Sequence, residues 1–145
     1  MVDVGADRRG TSVCLVERDP AALRLLAGVL ETAGLRVVGA AGSAAAAVVA
    51  VERSRPDVAV VDTRLPDGRG VQLCRQLTGA DPGLAVVLHA ATVAPGEENE
   101  AERAGAVRLV AKSVRGVELI SAIRACDTRP PAAAGSAGGG VTRWG

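Results

Sequence analysis

The sequence predicts an α/β domain built on a doubly wound parallel sheet of five strands in the order 2-1-3-4-5. Three observations lead there. Short Val-rich apolar runs recur along the chain, and Val58-Ala-Val-Val-Asp62 is the clearest of them. It is too short for a surface helix and reads as a central strand buried on both faces. Helical segments separate the runs, each of the length a parallel crossover needs. The runs end near Glu17, Asp62, His89 and Lys112, at the strand ends where open parallel sheets carry their chemistry. In this order the first and third strands are neighbours at the switch point, so Glu17, Asp19 and Asp62 are expected to converge.

Residues 1–11 are polar and read as a disordered lead-in; no apolar block follows Arg8 and Arg9, so no signal peptide is expected. Ser12 to Glu17 is the first strand. Asp19 is placed to cap a helix with Pro20 in its first turn. Leu25, Leu26, Val29, Leu30 and Ala33 recur on one face of that helix, and Gly34 stops it. Arg36 to Ala40 is the second strand, and Ser43 caps an Ala/Val helix that runs to about Arg53. Pro56 and Asp57 lead into the third strand, and a helix from Gly70 to about Leu77 offers Val71, Leu73, Cys74 and Leu77 for packing. Pro82 and Gly83 end that connection, and Leu84 to His89 is the fourth strand.

Pro95 to Ala104 reads as a helix with a nearly all-polar middle, which makes it the loosest element expected. Val107 to Ala111 is the fifth strand, ending at Lys112. Arg115 to Cys126 is an amphipathic last helix carrying Val117, Leu119, Ile120 and Ile123. Residues 127–145 have Pro/Ala/Gly linker chemistry and too few large apolar groups to fold. The folded domain is therefore expected over 12–126. The tail is too short to hold a DNA-binding output domain.

With 145 residues there is room for one proper core. Seventeen Lys and Arg oppose sixteen Asp and Glu, so no broad field draws the chain to nucleic acid or to an anionic membrane. No direct DNA binding is expected. Cys14, Cys74 and Cys126 lack metal-knuckle spacing and read as small buried groups in a reducing compartment, and no segment has transmembrane length. A cytoplasmic location follows as the expectation. Trp144 is the only aromatic residue.

Hydrolase chemistry has little support, because there is no Gly-x-Ser-x-Gly elbow and His89 is the only histidine. Gly39-Ala-Ala-Gly42 lacks the spacing of a phosphate cradle and reads as a tight turn. A flavin is disfavoured because Glu17-Arg-Asp-Pro20 is short and acidic where a cofactor phosphate needs backbone donors.

Four stretches in order carry a family resemblance: Leu15-Val-Glu-Arg-Asp-Pro20, Val60-Val-Asp-Thr-Arg-Leu-Pro-Asp-Gly-Arg-Gly70, Val86-Val-Leu-His-Ala90 and Leu109-Val-Ala-Lys-Ser113. Together they resemble the receiver domain of bacterial two-component response regulators, a flavodoxin-like (βα)5 fold, over roughly residues 12–126. The resemblance implies that Asp62 accepts a phosphoryl group from a histidine kinase or phosphotransfer protein, and that this switches partner binding. It implies Lys112 as the cation pairing with acceptor and phosphoryl group. It also implies Mg²⁺ held by Glu17, Asp62 and the backbone carbonyl of Arg64, and a partner or homodimer surface over residues 95–126. No enzyme activity is implied beyond self-phosphorylation and dephosphorylation.

Three positions depart from the family pattern. Arg18 stands where a second metal-ligating acid is usual, which removes a ligand and adds a repelling charge. Either Arg18 pairs with Asp62 in place of the metal, or it turns outward and Asp19 supplies the missing oxygen. His89 stands at the first switch position, where a Thr or Ser hydroxyl would bind the phosphoryl group. Leu109 takes the place of the aromatic switch residue. Two functions follow from these departures: a phosphorylated switch, or a phosphorylation-independent pseudo-receiver acting as a protein interaction module.

Overall fold

Ten main elements alternate along the computed structural model, which describes residues 10–126. They are β1 (Ser12–Val16), α1 (Pro20–Thr32), β2 (Arg36–Ala41), α2 (Ala44–Ser54), β3 (Val58–Asp62), α3 (Gly70–Ala80), β4 (Ala85–Ala90), α4 (Glu97–Arg103), β5 (Arg108–Ala111) and α5 (Val117–Cys126). Arg64–Leu65 and Gly68–Arg69 add a small antiparallel hairpin between β3 and α3. The five main strands pair in parallel in the order β2-β1-β3-β4-β5, as expected. Most of the lead-in and all of residues 127–145, Trp144 included, lie outside the described residues. Thr11, assigned to the lead-in, is buried, and its carbonyl accepts a hydrogen bond from Arg36 N at 2.8 Å. The folded domain therefore begins slightly earlier than expected.

Strand alternation sorts the core into two layers. Ala59, Val61, Val86 and Leu88 face one way and pack with Leu73, Cys74 and Leu77 of α3 and with Ala101 of α4. Val13, Leu15, Val58, Val60 and Val87 face the other way and pack with Leu30 of α1 and with Leu119 and Ile123 of α5. Both layers bury Val and Leu almost completely, and this apolar burial is the main force holding helices to sheet. By the same alternation Glu17, Asp62, His89 and Lys112 share the parity of the second layer. Four strand ends thus deliver four polar groups to one side of the sheet.

Helix α1 starts where local chemistry places it: the Asp19 side chain accepts from Ala21 N, and Pro20 opens the first turn. Its buried face differs from the expectation. Leu23, Leu26, Ala27 and Leu30 pack inward, whereas Leu25 is 70% exposed. Five residues separate Leu25 from the fully buried Leu30, which turns it about 140° around the helix. Ser43 caps α2, as its sequence position suggests.

Helix α3 extends to Ala80, three residues past its expected end. Helix α4 is shorter than expected, because Gly96 at φ 87° ends the helical geometry before Pro95 can join it. It buries Ala101 alone within the helix. Helix α5 begins at Val117 rather than Arg115, and Val117 is exposed instead of packed.

Candidate functional site

At the end of β1, Glu17 N donates to Ala41 O at 3.0 Å, which extends the pairing with β2 by one residue and holds Glu17 in a buried position. Asp62 closes β3, buried, with its Cα registered opposite His89 of β4. Beyond β5, Lys112 N donates to Ala90 O at 2.7 Å, which fixes the root of the lysine beside the same edge. The Lys112 ammonium then reaches both acids: Nζ donates to Glu17 Oε1 at 3.0 Å and to Asp62 Oδ2 at 3.2 Å. The second Asp62 oxygen, Oδ1, accepts from Arg64 N at 3.1 Å, and Glu17 Oε2 accepts from Asp19 N at 3.1 Å. Gly70 follows from this packing, since a Cβ there would collide with the Asp62 carbonyl oxygen.

One ammonium faces two carboxylates, so the site is locally negative. Burial works against the Lys112 charge, but the hydrogen bonds and charges of Glu17 and Asp62 prevail and raise its pKa above the ordinary lysine value. His89 is 6% exposed, and its Nε2 has no hydrogen-bond partner among the described residues. Burial, aided by the Lys112 charge and opposed by Asp62, pushes its pKa down to about 4. At neutral pH the ring is uncharged and carries one donor and one acceptor nitrogen.

Arg18 does not join the site. It is exposed and makes no hydrogen bond or ion pair with a described residue, so of the two arrangements expected the Arg18–Asp62 pair is not made and Arg18 turns outward. Both Asp62 oxygens are already engaged, by Lys112 and by the Arg64 amide, which removes the electrostatic reward for burying a guanidinium there. Asp19 is also exposed and spends its carboxylate on the helix cap. Among the described residues no three His, Cys, Asp or Glu side chains are arranged to hold a metal, so Asp19 does not complete a third ligand. Leu109 is buried beneath a shallow depression that it lines with Thr63, Arg69, Leu88, Glu97 and Glu100.

Two connections escaped the sequence reading. Asp67, read as turn chemistry, accepts from Ala44 N at 2.7 Å and Ala45 N at 3.0 Å, so it caps α2 from another part of the chain. Those bonds hold its pKa below the usual carboxylate value. Arg69 makes a two-pronged ion pair with Glu100 of α4, each N to O distance being 2.9 Å. Neither partner is a near neighbour in sequence, and no local spacing signals either contact.

A family model described as the response regulator receiver domain matches residues 13–124. The DNA-binding transcriptional activator DevR/DosR of Mycobacterium tuberculosis is 43% identical over 90 residues, covering 62% of this chain and 42% of that protein. The probable transcriptional regulatory protein TcrX of the same organism is 31% identical over 120 residues, covering 83% and 51% respectively. The chain thus spans about half the length of these relatives or less. A LuxR-family two-component response regulator from Aurantimonas sp. superposes with a TM-score of 0.78 at 26% identity, over 83% of this chain and 87% of that one. A CheY-like receiver domain protein from Methanospirillum hungatei gives 0.74 at 24% identity, over 81% and 94%, a likeness of fold alone.

Proposed function

The chain belongs to the response regulator receiver domain family, and from that premise we propose that Asp62 accepts a phosphoryl group from a histidine kinase or phosphotransfer protein. The observation that carries this is the buried Asp62 carboxylate held by Lys112 Nζ at 3.2 Å beside Glu17. A carboxylate attacks phosphorus only when its own charge and that of the incoming group are offset. Lys112 supplies one positive charge at the attacking oxygen. Transfer breaks the P–N bond of a partner phosphohistidine and forms an O–P bond on Asp62, while the freed imidazole nitrogen takes up a proton.

Glu17, Asp62 and the Arg64 carbonyl would hold Mg²⁺, and this donor set fits an ion that takes one or two carboxylates and completes its shell with water and phosphate oxygens. Bound there, the ion supplies the remaining charge offset for the phosphoryl oxygens. With Asp19 capping α1 and Arg18 exposed, the set is one acid short of the family pattern, so weaker binding is expected. Lys112 turns from bridging two acids to holding a phosphoryl oxygen, and the neutral ring of His89, the residue paired with Asp62 across β3 and β4, donates to another. The readout is altered partner binding over residues 95–126, with a second copy of the chain as one such partner.

Intact mass measured after incubation with Mg²⁺ and a small acyl phosphate tests this. The wild-type chain gains one phosphoryl group, and Asp62→Ala gains none. Unchanged wild-type mass at saturating donor would leave a phosphorylation-independent interaction module as the function.

A further inference from the structure

We propose that the Arg69–Glu100 ion pair is a latch that fastens α4 to the loop after Asp62 in the unphosphorylated protein and opens when Asp62 carries a phosphoryl group. The inference rests on Asp62 being the acceptor. Its basis is the way the loop Thr63–Arg69 is tied down. The loop starts at the site, where Arg64 N donates to Asp62 Oδ1, and it closes on itself where Gly70 N donates to Thr63 O at 3.0 Å. Between these points Asp67 grips the α2 backbone and Arg69 grips Glu100.

The two grips differ in what they hold. Helix α2 is eleven residues long, with Ala47 fully buried and Ala44, Val48, Ala50 and Val51 packed on the core. Helix α4 has seven residues, a glycine N-cap without a side-chain bond, and Ala101 as its buried anchor. A strap pinned firmly at one end and to a lightly anchored helix at the other transmits movement to the lighter end. Leu109, which has no polar tip, lies under the same depression that Thr63, Arg69 and Glu100 border. The Asp62 loop reaches α4 directly through the Arg69–Glu100 pair.

A phosphoryl group adds negative charge and three strong acceptor oxygens at the root of this strap. Bonded through Oδ2, where Lys112 now sits, it displaces the ammonium and leaves Oδ1 as the carbonyl oxygen of an acyl phosphate, a weaker acceptor for the Arg64 amide that starts the loop. A contact made in one state only biases the equilibrium toward that state. Removing the latch therefore favours the phosphorylated form.

The test is titration of the full chain with trifluoroberyllate, a phosphoryl mimic, in the presence of Mg²⁺, together with hydrogen exchange over residues 97–103. Arg69→Gln and Glu100→Gln alter exposed side chains and leave the core intact. Each should tighten mimic binding about two- to fivefold, the range an exposed ion pair supports, and should speed exchange in α4. The double swap Arg69→Glu with Glu100→Arg should return both quantities toward wild type. Faster exchange with unchanged affinity would mean the pair persists in both states, and weaker binding would place it in the phosphorylated state; either overturns the latch. Unchanged exchange overturns it as well. A wild-type chain that does not bind the mimic overturns the acceptor reading itself, and the latch with it.

Discussion

A buried imidazole with an unpartnered Nε2 makes stability depend on pH at a single residue. Above pH 6.5 the His89 ring is neutral in the folded and unfolded chains alike and contributes nothing to the balance. As pH falls below 6.5 the unfolded chain takes up a proton that the folded chain refuses until about pH 4. The unfolded state binds more protons across that window, so stability declines as pH drops through it. At 1.36 kcal/mol per pH unit the loss approaches roughly 3 kcal/mol. Denaturant unfolding at pH 7 and pH 4.5 should therefore show a smaller loss for His89→Gln than for the wild type. An imidazole NMR titration centred near 6.5 would contradict the burial that underlies this expectation.

At the scale of the element, helix α1 separates what a local pattern can give from what docking decides. Asp19 and Ser43 were legible as caps because a cap acts on amides within three residues, and both make the expected bonds. The inward face of α1 was only half legible. Leu25 and Leu26 are equally apolar, and periodicity fixes the spacing of a stripe without saying which of two adjacent leucines the sheet receives. Leu30→Ala should cost about 2–5 kcal/mol in denaturant unfolding, as a filled core position does. Leu25→Ala, with its side chain in solvent, should stay within about 0.5 kcal/mol of wild type. The limits of α4 depended on Gly96, whose left-handed φ sets the start of the helix at Glu97, a limit the polar run inside the helix does not signal.

Over the whole molecule, Glu17, Asp62, His89 and Lys112 could be named in advance because each sits at a strand end and the strand order brings those ends together. Arg18 could not be decided, since its direction turns on whether Lys112 has already claimed Asp62. The Asp67 and Arg69 ties could not be seen, because they join elements that share no local pattern. The assembled site also has a place in the order of folding. Lys112 lies 95 residues from Glu17 and 50 from Asp62, and it follows β5, which pairs with β4 alone at the edge of the sheet. The lysine joins the site only once β5 has docked on β4, and its late arrival is the expectation a substitution there can test. Lys112→Ala should accordingly speed unfolding while leaving the folding rate near wild type, read from the two limbs of a denaturant chevron. Under the proposed acceptor role of Asp62, a nascent chain that has not docked its last strand holds that carboxylate without its cation and gains competence only at the completion of folding.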